Sequence, residues 1–295
     1  MSGYELAAYE TAQRGEYLRL LHDAWGDAAL SGAEFDWWFS RNPAGSLMSV
    51  ARDGGRVVGV AAHSLYKTIL GGEERLATFS VHATTDPAAR GRGVFVGLER
   101  KHEEEAEARG AAVVLAFASA PTAPLFLGPL GWTEIGRLRI WARPLPRVGL
   151  RRSSAEQVDR FDFSGDTAVS WPSHIVRDAE YLNWRYLDSP RDYVAYRAGG
   201  GYAVLGHKRH RGQPIALVAD LVGPVRPLLR ACVAGVKPGT RALISLPGPG
   251  ESAAYLSCGF VPTPMTLHFM GKPLAGELET DPRAWRFTLG DTDFF

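Results

Sequence analysis

The residues best suited to chemistry lie in a short loop of glycine and arginine. The stretch RGRG occupies residues 90–93, between a strand pattern and a long charged helix pattern. Backbone N–H groups converge where such a loop enters a helix, and the helix dipole adds about half a positive charge. Gly91 and Gly93 let the backbone approach a ligand, and Arg90 and Arg92 can add charge. The loop therefore predicts a site for a phosphate group.

Two common nucleotide-binding motifs do not fit this loop. The glycines of GRGVFVG are spaced G-x-G-x-x-x-G, and GAAVVLAFAS downstream offers no acidic residue for a ribose, as a dinucleotide fingerprint requires. The sequence also has no G-x-x-x-x-G-K-[ST], the loop that holds nucleoside triphosphates. The phosphate is thus expected to belong to another ligand.

Composition limits the class of protein and its partners. The chain has 295 residues, which is long for one compact domain and comfortable for two. Lys+Arg 33 against Asp+Glu 32 removes a global electrostatic argument for nucleic acid. Cys232 and Cys258 have no metal or disulfide spacing, and HEEE at 102–105 is not HExxH, so no metal is expected. Without an apolar leader or membrane span in the sequence, we expect a cytoplasmic protein with no membrane partner.

Strand and helix patterns alternate through the first half and position the loop. They predict a strand in GYELAAYE, helices over 16–25 and 32–43, two strands around the Asp-Gly-Gly turn at 53–55, a strand over 74–85, a helix over about 94–109, and a doubly buried strand in AAVVLAFAS. The helix over 32–43 is expected to end at Pro43, because the residue before proline avoids the α region. The RGRG loop then joins a strand to the helix that starts near Val94.

The second half repeats the pattern of the first. AEFDWWFSRNP (33–43) matches AEYLNWRYLDSP (179–190), RDGG (52–55) matches RAGG (197–200), and the stretch 113–132 matches 242–260 through a strand, a short helix and a Gly-aromatic pair. Three matches in the same order indicate a duplicated domain. We predict domains over 1–146 and 147–295, the second ending in an acidic, aromatic tail that either packs on the body or reaches a substrate.

The loop resembles the signature of the GNAT superfamily, the acyl-CoA-dependent N-acyltransferases. That signature, [Q/R]-x-x-G-x-[G/A], joins a strand to a helix and grips the CoA pyrophosphate; here it falls on residues 88–93. Both glycines match, but Ala88 stands where Gln or Arg is often found, so one side-chain contact is missing. The later LGW (130–132) is similar to the family's Gly-Phe pair. The resemblance covers residues 3–145.

The resemblance implies a fold, a cosubstrate and a set of binding residues. The fold is an α/β (α+β) arrangement of two tandem N-acyltransferase domains, each a mixed, mostly antiparallel sheet flanked by helices. The cosubstrate is acetyl-CoA or another acyl-CoA. The residues implied to bind it are Ala83, Thr84 and Thr85 beside the acyl carbonyl, and Arg90, Gly91, Arg92, Gly93, Val94 and Phe95 around the pyrophosphate.

The general acid of the family is a Tyr four residues before the Gly of the Gly-Phe pair. Counting back from Gly131 gives Leu127, with Phe126 beside it, so the first half lacks this Tyr. Counting back from Gly259 gives Tyr255 in the half whose turn, VGPV, carries one glycine and a proline without an amide donor. The second half therefore resembles a degenerate copy, and we expect one CoA per chain.

Several side chains remain candidates for catalysis and for binding the acceptor amine. His82 and His63 could each deprotonate an amine, Tyr66 could replace the missing acid, and structural roles remain open for all three. In the family, the helix that corresponds to the one with Trp37 and Trp38 borders the acceptor pocket, although core packing also explains the two rings. Asp36 could hold the ammonium group of a substrate, or lie solvated at the surface.

Together these observations predict acyl transfer, most simply of acetyl, from CoA to a small-molecule amine such as an amino sugar or metabolite. The alternatives are a non-catalytic acyl-CoA sensor or scaffold and another acyl-thioester reaction, such as decarboxylation. Because the two halves can bury each other's apolar faces, we expect a monomer or weak dimer.

Overall fold

A computed structural model describes residues 3–146, 155–167, 171–210 and 212–293. The chain divides into two compact units. The first comprises the described residues within 1–68, 74–136 and 268–280, and the second those within 69–73, 137–267 and 281–295.

The first unit is built on a mixed, mostly antiparallel sheet. Its strands are β1 (Glu5–Ala8), β2 (Ser46–Asp53), β3 (Arg56–Leu70), β4 (Glu73–Thr85) and β5 (Ala111–Ala118), with the last residues of β13 (Val261–Pro273) beside β5. Strands β4 and β5 pair in parallel, whereas β1–β2, β2–β3 and β5–β13 are antiparallel. All eight residues of β5 are buried, which confirms the strand predicted to be buried on both faces.

The predicted hairpin and helices are present, with one correction. Asp53 pairs with Arg56 across two glycines of positive φ, as the Asp-Gly-Gly turn predicted. The helices are α1 (Arg14–Trp25), α2 (Gly32–Phe35), α3 (Val94–Ala108) and α4 (Ala123–Leu127). The single helix predicted over 32–43 is wrong, because α2 makes one turn and continues as a π turn over Asp36–Ser40.

This π turn changes which aromatic side chains are buried. In an ordinary α-helix successive side chains point about 100° apart, so adjacent tryptophans would not share one environment. Here Trp37, Trp38 and Phe39 are all buried. A π turn adds one residue to a turn of helix, and this changes which side chains of the helix face the core.

The second unit contains the remaining strands and helices. Its elements are β6 (Thr133–Pro144, from residue 137), β7 (Glu156–Val158), β8 (Ser173–Ile175), α5 (Ala179–Leu182), β9 (Asp192–Ala198), β10 (Gly201–His210), β11 (Gln213–Val222), α6 (Val225–Gly235), β12 (Ala242–Ser245), α7 (Ser252–Ser257), the first residues of β13, and β14 (Trp285–Arg286). The strand order is β6-β12-β11-β10-β9-β7, with β11 and β12 parallel.

Each repeated sequence segment forms the same local structure in both units. A one-turn helix followed by a π turn recurs over Asn183–Leu187 after α5. The glycine pairs of the two hairpins have similar φ values, 55° and 83° at residues 54–55 and 60° and 83° at residues 199–200. After α4 and α7, Gly131 and Gly259 both have positive φ before an aromatic residue. These matches give the chain a tandem layout.

The compact units differ from the predicted domain bounds at three segments: residues 69–73 and 137–146 fall in the second unit, and residues 268–280 fall in the first. Residues 268–273 of β13 pair with β5 in the first unit, and residues 142–144 of β6 pair with β12 in the second. Backbone pairing therefore places residues 268–273 in the first unit and residues 142–144 in the second. The predicted domain bounds had placed them the other way round. The duplication boundary at residue 146 stays a prediction. No helix in the described ranges is long and apolar enough to cross a membrane.

Candidate active site

The RGRG loop connects β4 to α3, as predicted. After Thr85 the chain makes a 3-10 turn over Pro87–Ala89, in which the Asp86 carboxylate accepts a hydrogen bond from the Ala88 amide at 2.8 Å. Gly91 and Gly93 have φ values of 77° and 80°, a conformation that side chains rarely adopt. A Cβ atom at Gly91 would meet no heavy atom within 4 Å, so the loop presents open backbone.

The start of α3 is fixed tightly beneath this loop. The first α-helical bond runs from the Gly97 amide to the Gly93 carbonyl at 2.9 Å, so the amides of residues 94–96 precede the helical hydrogen-bond ladder. Val94 and Leu98 are buried against the sheet, and Phe95 packs edge-on against Phe126 at 5.3 Å. The loop therefore has a packed base and amide donors that lie outside the helical hydrogen-bond ladder.

The two arginines of the loop are held differently. Arg92 Nη1 donates to Asp53 Oδ2 at 2.8 Å, so its charge is partly compensated by the β2–β3 hairpin. Arg90 Nε donates to the Thr85 carbonyl at 3.3 Å, a neutral partner. Arg90 is thus the loop cation better able to meet an anionic ligand.

Strands β4 and β5 diverge next to this loop. Their parallel register covers Leu76–Phe79 on β4 and ends at Leu115 on β5. Beyond that point Ala116–Ala118 of β5 stay paired only with β13, which lies along the other edge of β5 from Val113 to Ala118, while β4 continues to Thr85. The edge of β4 that contains Ala83, Thr84 and Thr85 therefore lies past the end of this pairing, and Ala83 packs against the cluster that includes Val94.

His82 lies where β4 diverges and has an unusual backbone. Its φ is 49°, and it is the only non-glycine residue with a positive φ among the described residues. Trp38, Trp25 and Phe39 surround the imidazole at ring-centre distances of 5.1, 5.9 and 6.0 Å. The sequence named His82 and Trp38 separately, and the structure brings them together. No sequence signal marked Trp25 or the positive φ.

The other predicted acceptor-site residues have different environments. Trp37 is fully buried and packs against Trp38, so its ring belongs to the core. Asp36 accepts from Arg14 Nε at 3.0 Å and from Nη2 at 2.9 Å, which compensates its charge. Tyr66 is 3% exposed and packs edge-on against Phe79 at 5.3 Å.

His63 belongs to a buried polar network that the sequence did not predict. Its Nε2 contacts Glu99 Oε2 at 2.8 Å, and Ser80 donates to the other carboxylate oxygen at 3.0 Å. His102 lies 4.6 Å away, ring to ring, and its Nε2 contacts Ser49 at 3.0 Å. Burial, and then His63, holds the pKa of His102 well below its usual value. The i,i+3 spacing of Glu99 and His102 on α3 was the available signal.

The tyrosine expected as general acid lies in the second unit, in its core. Tyr255 is fully buried, its hydroxyl is 2.9 Å from Ser245 Oγ, and burial raises its pKa above the usual value. The Phe260 amide donates to the Tyr255 carbonyl, just as the Trp132 amide donates to Phe126. Phe126, not Leu127, therefore occupies the tyrosine position of the first unit.

The loop of the second unit is closed. A Cβ atom at Gly223 would lie 2.8 Å from the Gly201 Cα, and Pro224 supplies no amide at the start of α6. The strand pair β11–β12 also stops early, with register only over 215–217 and 242–244. There a Cβ atom at Gly290 would lie 2.8 Å from the Ala219 carbonyl oxygen. The tail therefore fills the space beside β11.

Buried ion pairs hold this tail in place. Asp291 accepts two bonds from Arg177 Nη2, at 2.6 and 2.7 Å, and both side chains are buried. The tail residues Trp285, Phe287 and Leu289 are also buried. Of the two roles foreseen for the tail, packing on the body is confirmed. A cavity of about 170 Å³ remains nearby, lined by Arg177, Asp220 and Arg286 among others.

Comparisons with known proteins agree with this geometry. A family model described as an acetyltransferase (GNAT) domain matches residues 6–135. Among solved structures, the chain is similar to GCN5-related N-acetyltransferases from Anabaena variabilis (13% identity, 92% of this chain and 73% of that chain, TM-score 0.62) and Kribbella flavida (16%, 92% and 71%, 0.61). It is also similar to Eis1 from Mycobacterium abscessus (13%, 92% and 73%, 0.56). No curated protein matches the sequence.

The fold shared with these structures extends past the residues that the family model matches, and that matched segment contains the open loop, α3 and the diverging strands. Residues 6–135 thus match a GNAT acetyltransferase domain, and the chain shares its fold with the solved structures.

Proposed function

We propose that the chain is an acyl-CoA-dependent N-acyltransferase, most simply an acetyltransferase, acting on the amine of a small molecule such as an amino sugar or another metabolite. One observation carries the proposal: the open glycine loop at the start of α3 lies directly after the edge of β4 that has separated from β5. A phosphate site and a free strand edge are thus adjacent, as an elongated acyl-CoA requires.

The residues around the loop fit a pyrophosphate. Gly91 offers backbone without steric obstruction, and the amides at the start of α3 can donate to phosphate oxygens. Arg90 can add a charge-assisted hydrogen bond, which is among the stronger kinds. The GNAT match over residues 6–135 includes this loop and supports the assignment.

Acyl-CoA, when bound, supplies a thioester carbonyl and a thiol leaving group. In our proposal backbone N–H groups of Ala83–Thr85 donate to the carbonyl oxygen; such donors contribute about 3–4 kcal/mol in an oxyanion hole. His82 accepts the proton of the acceptor amine. With Phe126 at the tyrosine position, the first unit provides no phenol to the leaving thiol, and we assign no step to the packed Tyr66.

Binding and turnover can be tested separately. Calorimetry with acetyl-CoA, followed by thiol release with a library of amines, should give one tight site and turnover. Gly93→Val should abolish binding while the fold persists, because the branched side chain blocks the loop and resists its φ of 80°. Gly110→Val is the matched control, since Gly110 has a φ of 81° at the other end of α3.

Two outcomes would overturn the proposal. Wild-type affinity in folded Gly93→Val would remove the CoA site from this loop. Tight acetyl-CoA binding without thiol release for any amine would indicate an acyl-CoA sensor rather than a transferase.

A further inference from the structure

The aromatic rings around His82 differ in how firmly they are held. Trp38 and Phe39 are 1% and 6% exposed, and the Trp38 indole donates to Ser64 Oγ at 2.8 Å. Trp25 is 38% exposed, although its ring contacts the same imidazole. His82 itself is 7% exposed. Trp25 is therefore the ring through which an incoming molecule can reach the histidine from solvent.

The position of Trp25 in the chain suits this role. It is the last residue of α1, and Gly26 follows with a φ of 55°, which ends the helix. The chain then makes a 3-10 turn over Gly26–Ala28. The indole thus stands at a helix end, directly before the glycine that ends the helix. An exposed indole at such a place is available to stack on a ligand.

The charged group nearest in sequence to Trp38 is already occupied. Both oxygens of Asp36 accept from Arg14, and Arg14 Nη2 also donates to the Gly32 carbonyl at 2.9 Å. An amino sugar is bound largely through polar partners, because its hydroxyl groups lose water on binding. Trp25, the exposed ring of the three around His82, instead offers apolar surface, which suits a flat apolar group.

From this juxtaposition we propose that the acceptor is a primary amine linked to an aromatic ring by a short alkyl chain, and that Trp25 determines this specificity by stacking on that ring. The inference rests on the proposed function, since it concerns the acceptor of the same reaction. The amine reaches His82, and the aromatic ring of the acceptor covers the exposed face of Trp25. Trp25 is a specificity residue and takes no part in proton transfer.

The test compares two amines in the full chain with saturating acetyl-CoA. Thiol release with 2-phenylethylamine should be at least tenfold more efficient, as kcat/KM, than with glucosamine. Trp25→Ala should raise KM for 2-phenylethylamine about tenfold at unchanged kcat and leave glucosamine unaffected, as loss of one aromatic contact implies. Trp25→Phe should restore most of the affinity. Leu125→Ala is the control, because Leu125 is 41% exposed in the same unit.

Failure of the inference is distinguishable from failure of the proposed function. Efficient acylation of glucosamine, or an equal effect of Trp25→Ala on both amines, would overturn the aromatic specificity and leave N-acyl transfer intact. No thiol release from wild type with any amine would overturn both. Calorimetric titration of 2-phenylethylamine gives a readout without turnover: equal affinities for wild type and Trp25→Ala would also refute the role of Trp25.

Discussion

Gly59 on β3 lies so close to Val94, the first residue of α3, that a Cβ atom on the glycine would stand 2.4 Å from Val94 Cγ1. Real side chains do not approach so closely, so the missing Cβ lets the helix start rest directly on the sheet. Val94 directly follows Gly93 of the loop. This contact therefore sets the distance between the loop and the edge of β4.

Gly59→Ala should weaken acyl-CoA binding as well as stability. The added methyl has to displace Val94, and overpacking of this kind costs about 1–3 kcal/mol. We expect a lower denaturation midpoint and a weaker acetyl-CoA Kd, measured by chemical unfolding and calorimetry. Gly15→Ala is the control, because a Cβ there meets nothing within 4 Å. Unchanged affinity in Gly59→Ala would show that Val94 does not position the loop.

His82→Asn should separate catalysis from binding. Asn tolerates positive φ better than most residues, so the backbone at 82 is expected to persist while the base is lost. Thiol release should fall about 10²–10⁴-fold, as for removal of an acid–base group, with acetyl-CoA affinity retained. Steady-state kinetics and calorimetry on the same sample check this. A variant that keeps full turnover would exclude His82 as the base.

Tyr255→Phe should change stability and spare turnover. The hydroxyl of Tyr255 meets Ser245 inside the second unit, and its loss leaves Ser245 with a buried unpaired hydroxyl. We expect destabilisation of about 1–3 kcal/mol and nearly unchanged thiol release. A hundredfold loss of rate in a folded variant would mean that Tyr255 acts in catalysis after all.

The buried His102 should make stability depend on pH. Its folded pKa is depressed, so below about pH 6.5 the unfolded chain binds a proton that the folded chain does not. Stability from this group is present above that pH and falls as the pH drops toward the folded pKa, by up to about 1.4 kcal/mol per pH unit. Unfolding midpoints at pH 7.5 and 5.5 should differ less in His102→Gln than in wild type. Equal differences would assign the dependence to other groups.

Acetyl-CoA titration should give one site per chain. Pro224 removes an amide from the second loop, and Gly201 and Gly223 close it. The tail also fills the space beside β11. Gly223→Ala should therefore leave the stoichiometry at one, although it will strain the close contact with Gly201. Two equivalent sites, or ligand bound at residues 222–228, would contradict this expectation.

Local sequence determined much of the architecture. Hydrophobic period and turn residues were enough to predict the first hairpin, the buried strand β5 and α3, because these signals act over a few neighbouring residues. The glycine loop was also found from sequence, since its spacing and its place before a helix carry their own physical meaning. The duplication was predicted from three pairs of matching sequence segments, and each pair has the same local structure in the two units.

Only the tertiary structure decided which residues meet at the site. Trp25 and His82 are 57 positions apart, and their contact depends on how α1 packs beside a diverging strand. The π turn that buries Trp37 with Trp38 and the pairing of β13 with β5 likewise arise from competition for space in the core. Periodicity in a single chain cannot encode that competition, because burial depends on elements far away in sequence.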